Sequence, residues 1–163
     1  MKKQLLFLGL LFIGFIQIID AQVDHFKKHN PCTFSIELPI TMKLSKMYSD
    51  SSPDYCDYEV KLNDGFVIME LHSLIIGRFD IDNSGIKGLF NKAIKSTEIN
   101  ITYKIQRSNW FVISGTKENG NIVYWKRVVG ANFVSDLHIE YPTKRKAQIE
   151  KYIASIAESF KSE

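Results

Sequence analysis

Most of the chemical potential of this 163-residue chain lies in four histidines, two cysteines and the carboxylates spaced around them. Glu70 and His72 stand two residues apart, as do Asp136, His138 and Glu140. Side chains alternate across a strand, so each set would share one face. Arg127 has the parity of Trp125 and Val129, in a segment that precedes the second set. If these strands are neighbours, Glu70, His72, Arg127, His138 and Glu140 meet on one polar face. Such a face suits a small ligand or a metal ion, or else it is solvated and laced with cross-strand ion pairs. His25 and His29 have the i, i+4 spacing of a metal-binding helix pair. The H-E-x-x-H pattern needs Glu directly after the first His, and Phe26 stands there, so a solvated pair fits better.

No nucleophile is placed for catalysis. Ser114 sits in Ile113-Ser114-Gly115 behind Phe111-Val112, which is not G-x-S-x-G. The sequence has no G-x-G-x-x-G and no P-loop. It therefore names no catalytic residue, no cofactor and no metal site. Cys32 and Cys56 have no second Cys or His at zinc-ligand spacing. They form either a disulfide, closing a loop of about 25 residues, or two buried free thiols. A simple hairpin of the flanking strands would not set them opposite each other. Asn100-Ile101-Thr102 matches a glycosylation sequon but falls inside an expected strand, where it reads as chance.

The N-terminus supplies an address. Met1 is followed by Lys2 and Lys3, an apolar run from Leu5 to Ile19, and then Asp20-Ala21-Gln22. This is the layout of a signal peptide over residues 1–21, cleaved after Ala21, with residues 22–163 as a single domain. An uncleaved anchor is the other reading, though the run is short of the roughly 20 apolar residues of a membrane span. No second long apolar stretch follows, and no Cys near the cleavage point could take a lipid. The expectation is a soluble exported protein, periplasmic or extracellular. Loss of Lys2, Lys3 and Asp20 lowers the formal net charge of +3 by one. A balance so near neutral argues against nucleic acid as a partner, since such binders carry a strongly basic face.

The elements that would position these groups follow from periodicity. Residues 22–31 suggest a short helix or arm. Thr33–Leu38 alternates as a strand, and Ser49–Asp54 is loop chemistry. Tyr55–Leu62 and Phe66–Ile76 form a hairpin on Asn63-Asp64-Gly65. Asp80–Gly85 is a turn, with Asp82 or Ser84 as a helix N-cap. Ile86, Leu89, Phe90, Ala93 and Ile94 then form a helical stripe. In the next strand Ile99, Ile101, Tyr103 and Ile105 are expected on one side. Trp110–Gly115, Ile122–Val129 and Phe133–Tyr141 follow on short turns as an antiparallel meander. Ile149, Tyr152, Ile153, Ile156 and Phe160 mark a closing amphipathic helix. At its start Lys144-Arg145-Lys146 opposes the helix dipole. The run is a solvated charge cluster or a contact for an acidic partner. The whole is one α+β domain, an antiparallel sheet sandwiched by helices.

The cadence Trp110-Phe111-Val112-Ile113-Ser114-Gly115, Asn119-Gly120, Ile122-Val123-Tyr124-Trp125-Lys126 and His138-Ile139-Glu140-Tyr141-Pro142, with Phe34-Ser35-Ile36-Glu37-Leu38-Pro39 ahead of it, resembles the PsbP-like family. The type member of that family is an extrinsic lumenal subunit of photosystem II. The resemblance covers roughly residues 33–160 and is strongest in the C-terminal half. It implies a helix-covered antiparallel sheet in a small exported domain that binds or helps assemble other proteins, and no active site carries over. The expected function is thus non-catalytic protein binding or assembly in the cell envelope. The alternative is a periplasmic small-molecule or metal-binding protein using the face around His72 and His138.

Overall fold

Antiparallel pairing organises the computed structural model, which describes residues 25–47, 54–76 and 85–162. In chain order the strands are β1 (Phe26–His29), β2 (Phe34–Pro39), β3 (Lys43–Lys46), β4 (Tyr55–Lys61) and β5 (Val67–Ile75). Helix α1 (Gly85–Ser96) precedes β6 (Asn100–Gln106), β7 (Trp110–Thr116), β8 (Asn121–Val129) and β9 (Phe133–Pro142). A 3-10 turn over Thr143–Arg145 leads into α2 (Lys146–Ser159) and β10 (Lys161–Ser162). Seven strands form the main sheet in the order β3-β4-β5-β9-β8-β7-β6, and β1-β2-β10 form a second, small sheet. The α+β architecture expected from periodicity is the observed one. The signal peptide, most of the Ser49–Asp54 loop and the Asp82 or Ser84 cap lie outside the described residues.

Tight turns set the register. At the β4–β5 hairpin Gly65 adopts φ +82°, a conformation other residues resist, and the Asp64 carboxylate accepts the Phe66 N–H at 3.0 Å. The pairing then runs Tyr58↔Leu71 and Cys56↔Ser73, and β5 pairs with β9 as Leu71↔Leu137. Strand parity therefore sends Leu71, Leu137, Ile139 and Tyr141 to one face, where all are fully buried. Phe34, Ile36 and Leu38 of β2, Ile149 and Ile156 of α2, and Phe160 cover that face. Each such side chain contributes about 1.5–3 kcal/mol of hydrophobic free energy. On the opposite face α1 lays Leu89 and Ala93 over Phe111 and Ile113, with Trp125 and Val129 packed alongside.

The covering layers are fastened by polar contacts inside the core. Thr33 Oγ1 donates to Ser73 Oγ (2.6 Å), Ser73 meets Ser135 (2.9 Å), and Ser135 reaches Ser162 (2.8 Å). This hydroxyl chain links the small sheet to the main one. Lys126 Nζ donates to the Ala157 (2.5 Å) and Phe160 (3.1 Å) carbonyls, so a buried cation caps the C-terminus of α2. A positive charge there complements the helix dipole. Burial pushes the Lys126 ammonium below its usual range, against the opposing pull of Glu158. Cys32 and Cys56 stand at disulfide distance with Cα atoms 6.6 Å apart, joining the entry to β2 with β4. They are brought together between two sheets, which is why a hairpin could not pair them.

Three local expectations are corrected, and two short strands are added. The stretch expected as a short helix or arm contains β1, held edge-on to β2 by register Lys28↔Glu37; its largely exposed side chains leave no periodic trace. The four-residue β3 and two-residue β10 are too short to show a pattern. The Ile99–Ile105 alternation is broken by a bulge between Ile101 and Tyr103. Ile99 and Ile101 pack toward α1, whereas Tyr103 and Ile105 face the other way. Gly115 permits this, because a Cβ there would collide with the Asn100 carbonyl and the Ile99 side chain. Finally, Arg145 is neither a solvated charge nor free for a partner. It bonds Asp64 at 2.7 Å and lies 4.3 Å over the Phe66 ring, pinning the start of α2 to the β4–β5 turn.

Phe160, 1% exposed, packs 5.6 Å from Phe34. Phe160→Ala should cost about 3–5 kcal/mol in denaturant unfolding, the range for emptying an aromatic core site. Reduction of a Cys32–Cys56 bridge should lower the melting temperature by several degrees, since closing a loop of this size contributes about 3 kcal/mol. Two titratable thiols in unreduced, denatured protein would show that no bridge forms.

Candidate functional site

The face that carries α1 is only partly covered. Beyond Trp125 its exposed remainder is polar because parity places Asp57 and Glu59 of β4, Glu70 and His72 of β5, and Asp136, His138 and Glu140 of β9 side by side. Glu70 pairs with His138, which pairs with Trp125; His72 pairs with Asp136, which pairs with Arg127. All five residues singled out from spacing thus lie on one face. The strand between Glu70 or His72 and Arg127 is β9, not the strand that carries Arg127.

Within this face Glu59 pairs with Lys61, and the groups nearer its centre form three ion-paired clusters. His72 Nδ1 lies 2.7 Å from Asp57 Oδ1, with its Nε2 3.6 Å from Glu70 Oε2. Arg127 grips Asp136 with two parallel bonds, Nε to Oδ1 at 2.8 Å and a terminal nitrogen to Oδ2 at 2.6 Å. The Trp125 indole N–H donates to the same Asp136 Oδ1 (2.9 Å), and the Arg127 guanidinium lies 5.0 Å over that ring. Glu140 accepts from Lys117 Nζ (2.7 Å) and from the Asn121 amide (2.8 Å). Burial raises the Glu140 carboxyl, but these two bonds and the Lys117 charge outweigh it and leave it below its usual range.

His138 stands between the clusters and borders two open hollows. One, of about 420 Å³, is lined by Met69, Glu70, Lys117, Asn121 and Glu140 among others; the second, of about 390 Å³, by Thr97, Glu98 and Trp125. Burial holds the His138 imidazole below its ordinary 6.5, while Glu140, Glu70 and Asp136 pull it up and Lys117 pushes it down. A neutral imidazole at the wall of a hollow can exchange one hydrogen bond with a ligand. No group of three or more His, Cys, Asp or Glu side chains able to hold a metal ion occurs among the described residues.

The other candidates are placed elsewhere. Ser114 Oγ donates to the Val123 carbonyl (2.8 Å) and faces away from the polar side. His29 lies in β1 and not on a helix, so the metal-pair spacing with His25 has no helical face to act on. Asp57, Lys117 and Asn121 were missed by spacing alone. Asp57 was within reach of it, because the hairpin at Asn63-Asp64-Gly65 sets Asp57 opposite His72 once the register is known. Lys117 comes from a turn and crosses to β9, which no periodicity reports.

No family model matches this sequence, and no curated protein does either. Solved structures match at the level of fold. The architecture is PsbP-like. The chain is similar to cyanobacterial PsbP (CyanoP) from Synechocystis sp. PCC 6803, at 8% identity and a TM-score of 0.55, over 88% of this chain and 96% of that one. A protein from Bacteroides thetaiotaomicron matches at 10% identity and a TM-score of 0.46, with 84% of this chain and 48% of that one covered.

The burial of His138 gives a signed pH dependence. A depressed folded pKa means that stability is present above 6.5 and is lost as pH falls through the folded value, because the unfolded chain takes the proton first. His138→Gln should therefore flatten part of the fall in melting temperature as pH drops below 6.5. His29, also lowered by burial, keeps its own share of that fall. Glu140 acts in a separate window below its ordinary 4.5. An unchanged pH profile in the variant would show that His138 is not held neutral by burial.

Proposed function

We infer that this protein is an exported, non-catalytic α+β domain that binds a protein partner in the cell envelope or outside it. The observation that carries this reading is the closure of the polar face. Its carboxylates Asp57, Asp136 and Glu140 are held by His72, Arg127 and Lys117, so the charged groups are engaged in binding each other. A carboxylate already held by a cation is poorly placed to act as a general base or a nucleophile, which supports a non-catalytic reading. The Cys32–Cys56 pair fits an oxidising compartment, and the Lys2-Lys3 and Leu5–Ile19 layout supports export with residues 22–163 as the mature domain. No helix among the described residues is long and apolar enough to cross a membrane.

A second reading has one specific observation in its favour. His138 and Lys117 border both hollows, a setting suited to a small polar ligand. Affinity capture of the tagged protein from its native envelope, with mass spectrometry, separates the two. Protein binding predicts a stoichiometric partner whose recovery survives His138→Gln and His72→Gln, with the recovered bait beginning at Gln22. Recovery of no partner, together with a ligand-dependent rise in melting temperature abolished by those variants, would favour the small-ligand reading.

A further inference from the structure

The two edges of the main sheet are guarded unequally. Edge strand β3 has four residues with Lys43 and Lys46 at its ends, a form that discourages strand addition. Edge strand β6 has seven, and beyond it the sheet has no further strand among the described residues. The phase of its ladder is fixed where the Arg107 N–H bonds the Trp110 carbonyl at 2.8 Å. Counting back by twos along an antiparallel pair, Ile105 and Tyr103 also bond inward to β7. The backbone groups of Lys104 and Gln106 therefore face outward. The Gln106 carbonyl accordingly accepts from the Arg107 guanidinium (3.3 Å).

Beside this edge lies an apolar groove of about 460 Å³ between β6–β8 and α2. Tyr103, Ile105, Trp110 and Tyr124 line it, and Tyr103 is 53% exposed. Burial, with Tyr103 close by, pushes the Tyr124 phenol up to about 12, so that ring stays a neutral wall at physiological pH. By parity Tyr103 and Ile105 face the groove, and Lys104 faces the other side of the sheet. From Asn100 to Arg107 the edge carries two cations and no acid.

We propose that β6 receives, as an added antiparallel strand, an extended segment of a partner protein in which apolar and acidic residues alternate. The apolar residues enter the groove beside Tyr103 and Ile105, and the acidic ones flank Lys104 on the opposite face. Main-chain hydrogen bonds to Lys104 and Gln106 supply affinity, and the two-residue alternation supplies specificity. Glu158 on the groove's α2 wall disfavours acids on the apolar side, while Lys126, which also lines the groove, is committed to the Ala157 and Phe160 carbonyls. A second copy of this chain is a poorer occupant, because two β6 edges would bring Lys104 and Arg107 of each copy together with no acid between them.

The proposal rests on the protein-binding reading and names its surface. The probe is an acetylated octapeptide alternating Glu and Val with one Phe, followed by amide chemical shifts and Trp fluorescence of the full mature domain. Saturable binding is expected, with the largest shifts at Lys104 and Gln106. Lys104→Glu should weaken it about five- to tenfold and turn preference toward the matching Lys/Val peptide. A peptide of the same composition with acids and apolar residues in separate blocks should not bind, nor should one N-methylated at alternate amides; both controls use the unaltered protein, so they hold even if the variant folds poorly. Equal binding of the blocked peptide, or shifts centred on His138, would overturn the proposal. Self-association through β6 without peptide would overturn it in favour of a homodimer. A captured partner that cross-links away from β6 refutes this surface alone, whereas an envelope that yields no partner refutes the reading beneath it.

Discussion

A seven-stranded antiparallel sheet has two faces, and each must be covered by apolar elements or be tolerant of water. The remainder of this structure answers that requirement. One face is sealed by β2, α2 and Phe160 over Leu71, Leu137, Ile139 and Tyr141. Among the described residues α1 alone covers the other, and a twelve-residue helix reaches Phe111, Ile113 and Trp125 but not β4, β5 and the far half of β9. That uncovered part must be polar, and the alternation of β5 and β9 makes it so. The candidate site is thus a consequence of how much apolar cover the sheet receives.

The sealed face would be weak if its cover were loose, and the chain ties it down with polar atoms placed inside the core. Buried polar groups are costly unless satisfied. Here they are: Ser73 and Ser135 sit in a continuous hydroxyl chain from Thr33 to Ser162, and no buried side-chain nitrogen or oxygen among the described residues lacks a partner. Lys126 is the most demanding of these groups. Its ammonium exchanges water for two carbonyls at the end of α2, which fixes the rotation of the helix on the sheet. The Cys32–Cys56 pair joins the same two layers at a third point.

The polar face and the β6 edge differ in chemistry. On the face, charges are matched to one another at 2.6–2.7 Å, an arrangement that stabilises register and leaves His138 as the group open to a visitor. Cross-strand pairs of this kind contribute a few tenths to about 1 kcal/mol each, so they tune the sheet and do not create it. At the edge, by contrast, backbone donors and acceptors and an aromatic groove stand unmatched by any further strand among the described residues. The bulge at Ile101–Tyr103 is what turns Tyr103 toward the groove.

Several elements were legible in the residues alone. The β4–β5 hairpin followed from Asn63-Asp64-Gly65, the α1 stripe from Ile86 to Ile94, and the meander from three alternating runs on short turns, because each signal is local and repeats with a fixed period. The convergence of Glu70, His72, Arg127, His138 and Glu140 was legible for the same reason: parity within a strand is a property of sequence. What those residues do to one another was not, since Asp57, Lys117 and Asn121 reach them from other strands and turns. β1 and β10 were invisible because their stability comes from backbone pairing with β2, which leaves no mark on side-chain order. The bulge in β6 overrode a clean alternation because Gly115, on the neighbouring strand, admits the Asn100 carbonyl. Sequence by itself determined the periods, the turns and the faces; the tertiary structure decided the partners, because pairing between strands depends on register and on the shape of what lies across the gap.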